Sequence, residues 1–288
     1  MPYVYLILAT LLNSTFNIFG KLFNRKVKSD KDEIYLYNLL LSISATIGWG
    51  LIYTFNFSFD INVLIYSLVF GICYIFGIIG TIYALKYGSA TLTSLIISFS
   101  LIITAIWGFI FWGSSITILV IIGLFFVVLS LFLCLYSKDH KDKSISFKWL
   151  FYVSLAFLGN AGCSIVQKTQ QINFEGNHGS MMMFFAMVIN TIFFLIIYLK
   201  SDKANSKQLL KQVGWIPTCA GFSNTLLNLF IILLATTSLS PSFIYPVLGV
   251  GGLSFVTIFS FIVFKEKMQW WKLLGVLFGA IGVVLLSI

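Results

Sequence analysis

The chain of 288 residues is 59% hydrophobic and only 9% charged, with a mean hydropathy of +0.99. A soluble domain of this length needs far more charge to cover its surface, so a water-soluble fold is excluded and an all-α polytopic membrane protein is expected. Eighteen bases against nine acids give a net charge of +9. These bases flank apolar runs, where they would lie beside anionic membrane lipids, and no basic tract interleaved with aromatics offers a nucleic-acid surface.

A spanning helix needs about 20 apolar residues. Ten such runs follow one another, at 3–22, 34–55, 62–86, 89–112, 116–136, 148–168, 180–200, 213–236, 242–264 and 269–287. The first lacks a basic leader and is followed by many more, so it reads as a membrane helix and not as a signal peptide. It carries Asn13 and Asn17, four apart and therefore on one helix face, with Lys21 towards its end. Asn38 adds a single amide to the second run, Tyr74 and Tyr83 lie on the third, and Trp107 on the fourth. After the fifth run comes the polar stretch SKDHKDKSIS (137–146), which divides the chain into a first half at 1–137, a cytoplasmic linker at 138–147 and a second half at 148–288.

The sixth run repeats the first. Asn160 and Lys168 stand eight apart, as Asn13 and Lys21 do, at an offset of 147, with Ser164 and Gln167 between them. Asn190 sits on the seventh run, a second polar connection fills 200–211, and Asn224 and Asn228 repeat the four-residue spacing on the eighth. The ninth run opens on YPVLGVGG (245–252), with Pro246, Gly249, Gly251 and Gly252 following Tyr245. Proline and glycine weaken a helix, so a bend is expected there, in a helix lining a cavity, with Tyr245 aimed at the path of a solute. The matching stretch of the fourth run, 94–100 (SLIISFS), has neither residue. At the far ends of the halves, Gly123 aligns with Gly275 at an offset of 152. Two halves of five helices each must insert in opposite orientations, which makes an inverted repeat.

Lys and Arg set the orientation. Seventeen of the eighteen fall in odd-numbered loops and Lys168 alone in an even one. The odd loops are thus expected in the cytoplasm, with both termini outside, in a multi-pass protein of the cytoplasmic membrane. Trp112, Trp149, Trp215, Trp270 and Trp271 stand at run ends as an interfacial belt.

All nine acids and both histidines lie in loops or at run ends. A mid-membrane carboxylate would be the default proton relay or cation site, and the runs contain none. Acid/base or metal catalysis usually draws on His, Asp or Glu, so no enzyme, metal or cofactor is expected. Asp139, His140 and Asp142 form a loose cluster in a Lys-rich loop that reads as solvated linker. The four cysteines lie inside apolar runs, where they act as small buried hydrophobes.

What remains in mid-membrane is amides and hydroxyls. Such groups also glue helices together, at about 0.6 kcal/mol per bond. Taken as a set, Asn13, Asn17, Asn160, Ser164, Asn224 and Asn228 point to a solute site near the midplane, where transporter sites lie. Tyr74, Tyr83, Trp107 and Tyr245 would supply its wall. Lys21 and Lys168 either snorkel to the interface or form symmetry-related gates that attract an anionic or zwitterionic solute.

The last two runs carry a resemblance. Phe264-Lys265-Glu266-Lys267-Met268, then Leu274-Gly275-Val276 and Gly279-Ala280-Ile281-Gly282-Val283-Val284-Leu285-Leu286, resemble the half-ending pattern of the drug/metabolite transporter superfamily, EamA type: a Glu at a helix end, then a Gly-rich helix. Residues 245–287 are also similar to the last two helices of the small multidrug resistance proteins. Ser114-Ser115 stands where the family often has Glu-Arg, and the first run has Asn13 and Asn17 where the small multidrug carriers hold a glutamate. The resemblance implies a ten-helix carrier. With no first-helix acid, a metabolite carrier is favoured over a proton-coupled exporter of cationic drugs.

The expected function is therefore secondary or facilitative transport of a small polar or amphipathic metabolite by alternating access, by a monomer or weak homodimer in contact with lipid. A multidrug or quaternary-amine exporter of the same superfamily is the alternative. An intramembrane lipid-modifying enzyme, and a non-catalytic membrane subunit or channel, are the remaining readings.

Overall fold

The structure is a computed structural model. It describes residues 1–27, 31–88, 90–114, 116–135, 146–201, 206–263, 265 and 269–287. The basic connection at 138–145, with Asp139, His140 and Asp142, lies outside these residues, as do Ser115, Phe264, Glu266, Lys267 and Met268.

Apolar side chains in lipid leave backbone N–H and C=O groups no partner but each other, so the runs coil into helices. Twelve helices occur among the described residues: α1 (Pro2–Lys26), α2 (Lys31–Phe55), α3 (Val63–Tyr87), α4 (Ala90–Ser98), α5 (Ser100–Phe111), α6 (Ile118–Leu135), α7 (Phe147–Asn173), α8 (Gly179–Leu199), α9 (Ser206–Val213), α10 (Trp215–Ala235), α11 (Pro241–Ile262) and α12 (Trp270–Ser287). Seven segments are long and apolar enough to cross a membrane: α1, Glu33–Phe55 of α2, α3, α7, α8, α10 and Pro241–Phe259 of α11. The protein is thus an all-helical, multi-pass membrane protein. Ile96–Phe111, Ile118–Cys134 and Trp270–Leu286 are apolar helices of shorter length.

Three features depart from the sequence reading. The fourth run is two helices, α4 and α5, divided at Phe99, whereas the ninth is a single helix, as expected, with Pro246 inside it. The polar stretch at 200–211 contains the start of α9, whose Leu209 and Val213 pack with Phe23, Val27 and Ile216. The first and sixth runs extend past their expected ends, to Lys26 and Asn173, so Lys21 and Lys168 lie within helices and not at their tips. At the end of the 138–147 stretch, Ser146 is the N-cap of α7 and its hydroxyl accepts from Trp149 N (3.2 Å), satisfying one of the orphan donors of the first turn.

The helices pack in pairs: α3 on α7, α1 on α10, α2 on α8 and α6 on α12. Between α3 and α7 the backbones nearly touch. A Cβ on Gly80 would lie 2.5 Å from Ala156 N and 2.8 Å from Tyr152 O, and one on Gly159 would collide with Gly77 N. Only small residues permit this approach, which gives strong van der Waals contact in the absence of a hydrophobic drive between helices. The α2–α8 pair is filled by larger side chains. Trp49, Met181, Met182, Met183 and Met187 are fully buried there, and Thr46 and Thr191 share a hydrogen bond of 2.9 Å. Outward faces such as Phe125 of α6 and Leu277 of α12 are exposed and apolar, as contact with lipid requires.

Candidate functional site

The polar residues of α7 form a stripe. Asn160, Ser164, Gln167, Lys168 and Gln171 recur at intervals of three and four, so they share one face of the helix. On α10, Asn224 and Asn228 do the same. Gln167 Nε2 donates to the Asn228 backbone carbonyl and to its Oδ1, both at 3.4 Å. Asn228 Nδ2 in turn donates to Asn224 O (2.9 Å) and Asn224 Oδ1 (3.3 Å). From α11, the Tyr245 hydroxyl donates to the Ser164 carbonyl (3.3 Å), and its side chain is buried. Tyr245 with Ser164, and Gln167 with Asn228 and Asn224, are therefore two hydrogen-bonded groups that three helices bring to one stretch of α7.

A further group joins α1 to the same stretch of α11. Asn13 Nδ2 donates to the Leu248 carbonyl (3.1 Å), and Ser14 Oγ approaches the Gly252 carbonyl at 3.2 Å. Gly252 and Gly251 make room for this, since a Cβ at either would lie 2.6 Å from Asn13 Nδ2 or Thr10 Cγ2. Asn17 is exposed and its amide donates back to Asn13 O (2.8 Å) and Oδ1 (3.2 Å). Residues 245–252 thus form a two-sided strip, meeting α7 through Tyr245 and α1 through Leu248 and Gly252. Ser14 escaped the sequence reading. Its signal was the four-residue spacing from Thr10, which its hydroxyl also bonds (2.8 Å).

The other expected residues are placed as follows. Asn160 is half-buried beside Gly77, and its amide donates to Ala156 O of its own helix (2.8 Å). Tyr74 stacks on Phe70 (6.3 Å, 15°) and packs on the Met-rich core. Tyr83 bonds the Tyr35 hydroxyl (3.0 Å) and stacks on Tyr152 (4.9 Å, 23°). That stack is eight residues, roughly 12 Å along α7, from Asn160. Trp107 stacks on Phe111 within α5 (4.2 Å, 29°). Lys21 is half-buried inside α1.

Lys168 is buried against the end of α10. It is 7% exposed, and its ammonium donates to the carbonyl of Ala235, the last residue of α10. The final carbonyls of a helix lack intrahelical donors and carry the negative end of the helix dipole, so they attract an ammonium. Beside it, Gln170 and Gln171 are buried too. Gln170 Nε2 donates to Asn177 O (2.9 Å), while Gln171 Oε1 has no hydrogen-bond partner among the described residues. Among the described residues no three His, Cys, Asp or Glu side chains come together as a metal site.

Buried amides, hydroxyls and one ammonium shared among membrane helices define a polytopic helical protein with a polar interior. Residues 1–136, just under half of the chain, match the model of the EamA-like transporter family, a family of the drug/metabolite transporter superfamily. A solved crystal structure superposes with a TM-score of 0.73, covering 99% of this chain and 95% of that chain. At 10% identity that likeness is one of fold alone. No curated protein matches the chain.

Proposed function

We propose that the protein is a secondary or facilitative transporter that moves a small polar or amphipathic metabolite across the cytoplasmic membrane by alternating access. In this reading ten spans form two inverted halves, with α4 and α5 together as the fourth span and α9 an addition between the seventh and eighth. The pairing of helices supports the two-fold arrangement. If α1, α2, α3 and α6 correspond to α7, α8, α10 and α12, the α3–α7 pair exchanges with α10–α1, while α2–α8 and α6–α12 each map onto themselves. The family match over residues 1–136 supports transport as the activity.

The observation that carries the site is the meeting on α7 of two hydrogen-bonded groups, Tyr245–Ser164 and Gln167–Asn228–Asn224. Neutral amides on α7 and α10 and the tyrosine hydroxyl of α11 can exchange their present bonds for bonds to a solute, leaving few buried groups unsatisfied in either state. Asn13 on α1 extends these groups to the other half through α11. Reconstitution of the purified protein in liposomes, with uptake of radiolabelled amino acids and other small zwitterions, tests the reading. Asn228→Leu, which removes the link between Gln167 and Asn224, is expected to abolish uptake while the protein stays monodisperse. Full uptake by the folded variant would refute the site, and a wild-type protein that moves no solute would refute the function.

A further inference from the structure

We infer that Lys168 anchors a singly charged anionic group, a carboxylate, on the transported solute, and that its bond to Ala235 is a latch which this group displaces. The inference rests on the transport reading above and narrows its solute. Lys168 lies on the same α7 face as Ser164 and Gln167, at the end of the polar stripe, so it adjoins the proposed site. It is 7% exposed, and among the described residues its ammonium has one partner, the Ala235 carbonyl. A buried charge held by a single neutral dipole is poorly compensated. The end of a helix offers only about half an elementary charge, whereas a carboxylate offers a full one and a stronger, charge-assisted bond.

The charge count selects the ligand. The other polar residues on this face of α7, Ser164, Gln167 and Gln171, are neutral, so one ammonium balances one negative charge. A phosphate ester carrying nearly two would bring an uncompensated charge into the membrane. One turn further along the stripe, Gln171 is 2% exposed and its Oε1 has no partner among the described residues. This oxygen accepts an N–H of the solute, so the favoured solute carries a hydrogen-bond donor near its carboxylate. Displacement of the latch also acts on the fold. When the solute takes the ammonium, the end of α10 loses its tie to α7, so the occupied and latched states exclude one another and binding shifts the population towards the released form.

Affinities of the detergent-purified protein, from concentration-dependent thermal stabilisation, test this with matched pairs: L-leucine against L-leucinamide and L-phenylalanine against L-phenylalaninamide. The wild type is expected to prefer the carboxylate about tenfold or more, the range of a hydrogen bond to a charged group. Lys168→Gln, which keeps a donor but no charge, is expected to lose the preference, and Lys168→Arg to restore part of it. Amides that bind the wild type as tightly as the acids, or a preference that survives in Lys168→Gln, would overturn the anchor and leave the transport reading standing. A wild type that binds no member of either pair also overturns it, and liposome uptake then decides the transport reading separately. Where a variant fails to fold, the wild-type pairs decide alone.

Discussion

The ninth and fourth apolar runs hold corresponding places in the two-half reading, and each treats its backbone in the opposite way to its composition. Residues 241–262 contain Pro246 and three closely spaced glycines, and form one helix. Residues 94–100 contain neither proline nor glycine, and the helix divides at Phe99. In α11, Pro246 stands early, so its missing N–H removes only one bond, the one Ser242 O would accept. Gly251 and Gly252 are seats for α1, with Thr10 and Asn13 lying where their side chains would be, and Gly249 faces Leu101 of α5. At Phe99 the disturbance is local competition. Ser98 Oγ donates to Ser94 O (2.8 Å), and Phe99 N turns to Ile96 O, three residues back, at 3.1 Å. A serine bonded to the carbonyl four residues earlier bends helices, and the tighter three-residue bond is the mark of a 3₁₀ turn. In a membrane helix, then, proline and glycine mark where a neighbour sits close, while a hydroxyl can mark the interruption.

Three substitutions can break or sharpen this contrast. The largest effect is expected from Gly252→Val, because even a Cβ at 252 lies 2.6 Å from Asn13 Nδ2. Overpacking together with the lost Asn13–Leu248 bond should cost about 3 kcal/mol in detergent unfolding. Wild-type stability in this variant would show that the glycines are not seats for α1. Pro246→Ala restores an N–H towards Ser242 O in a helix that is already continuous, and a gain of about 1 kcal/mol is expected from the same unfolding measurement. A clear loss would assign Pro246 a role in fixing the entry of α11. The smallest effect belongs to Ser98→Ala, with a stability change below about 0.5 kcal/mol but slower hydrogen exchange at the Phe99 amide. Exchange as fast as in the wild type would place the cause of the break elsewhere.

The same contrast shows what was legible in the sequence. Helix positions followed from apolar length, because lipid imposes one solution on any such run. The amide pairs 13/17 and 224/228 could be read as sharing a face, because spacing alone fixes that. Their partners could not be read. Asn13 bonds the carbonyl of Leu248, and Lys168 the carbonyl of Ala235. Every residue owns a carbonyl, so such an acceptor leaves no mark in composition or spacing. Lys168 was expected at the end of its helix, at the interface or as a gate, and five further helical residues follow it. Leu209 was hidden in a lysine-rich stretch whose average polarity masks the apolar face of α9.

The pairing of the helices bears on how the chain is made. Among the described residues, each helix of 1–135 has its most extensive contact with a helix of 147–287, α1 with α10, α2 with α8, α3 with α7 and α6 with α12. A ribosome delivers the first set minutes or seconds before its partners exist. The early helices must wait in the bilayer with their small-residue faces against lipid, and the native core closes only when α12 has been inserted. Residues 1–137 produced alone would have helices but no interior, whereas the two pieces supplied together from separate messages hold every surface needed to assemble.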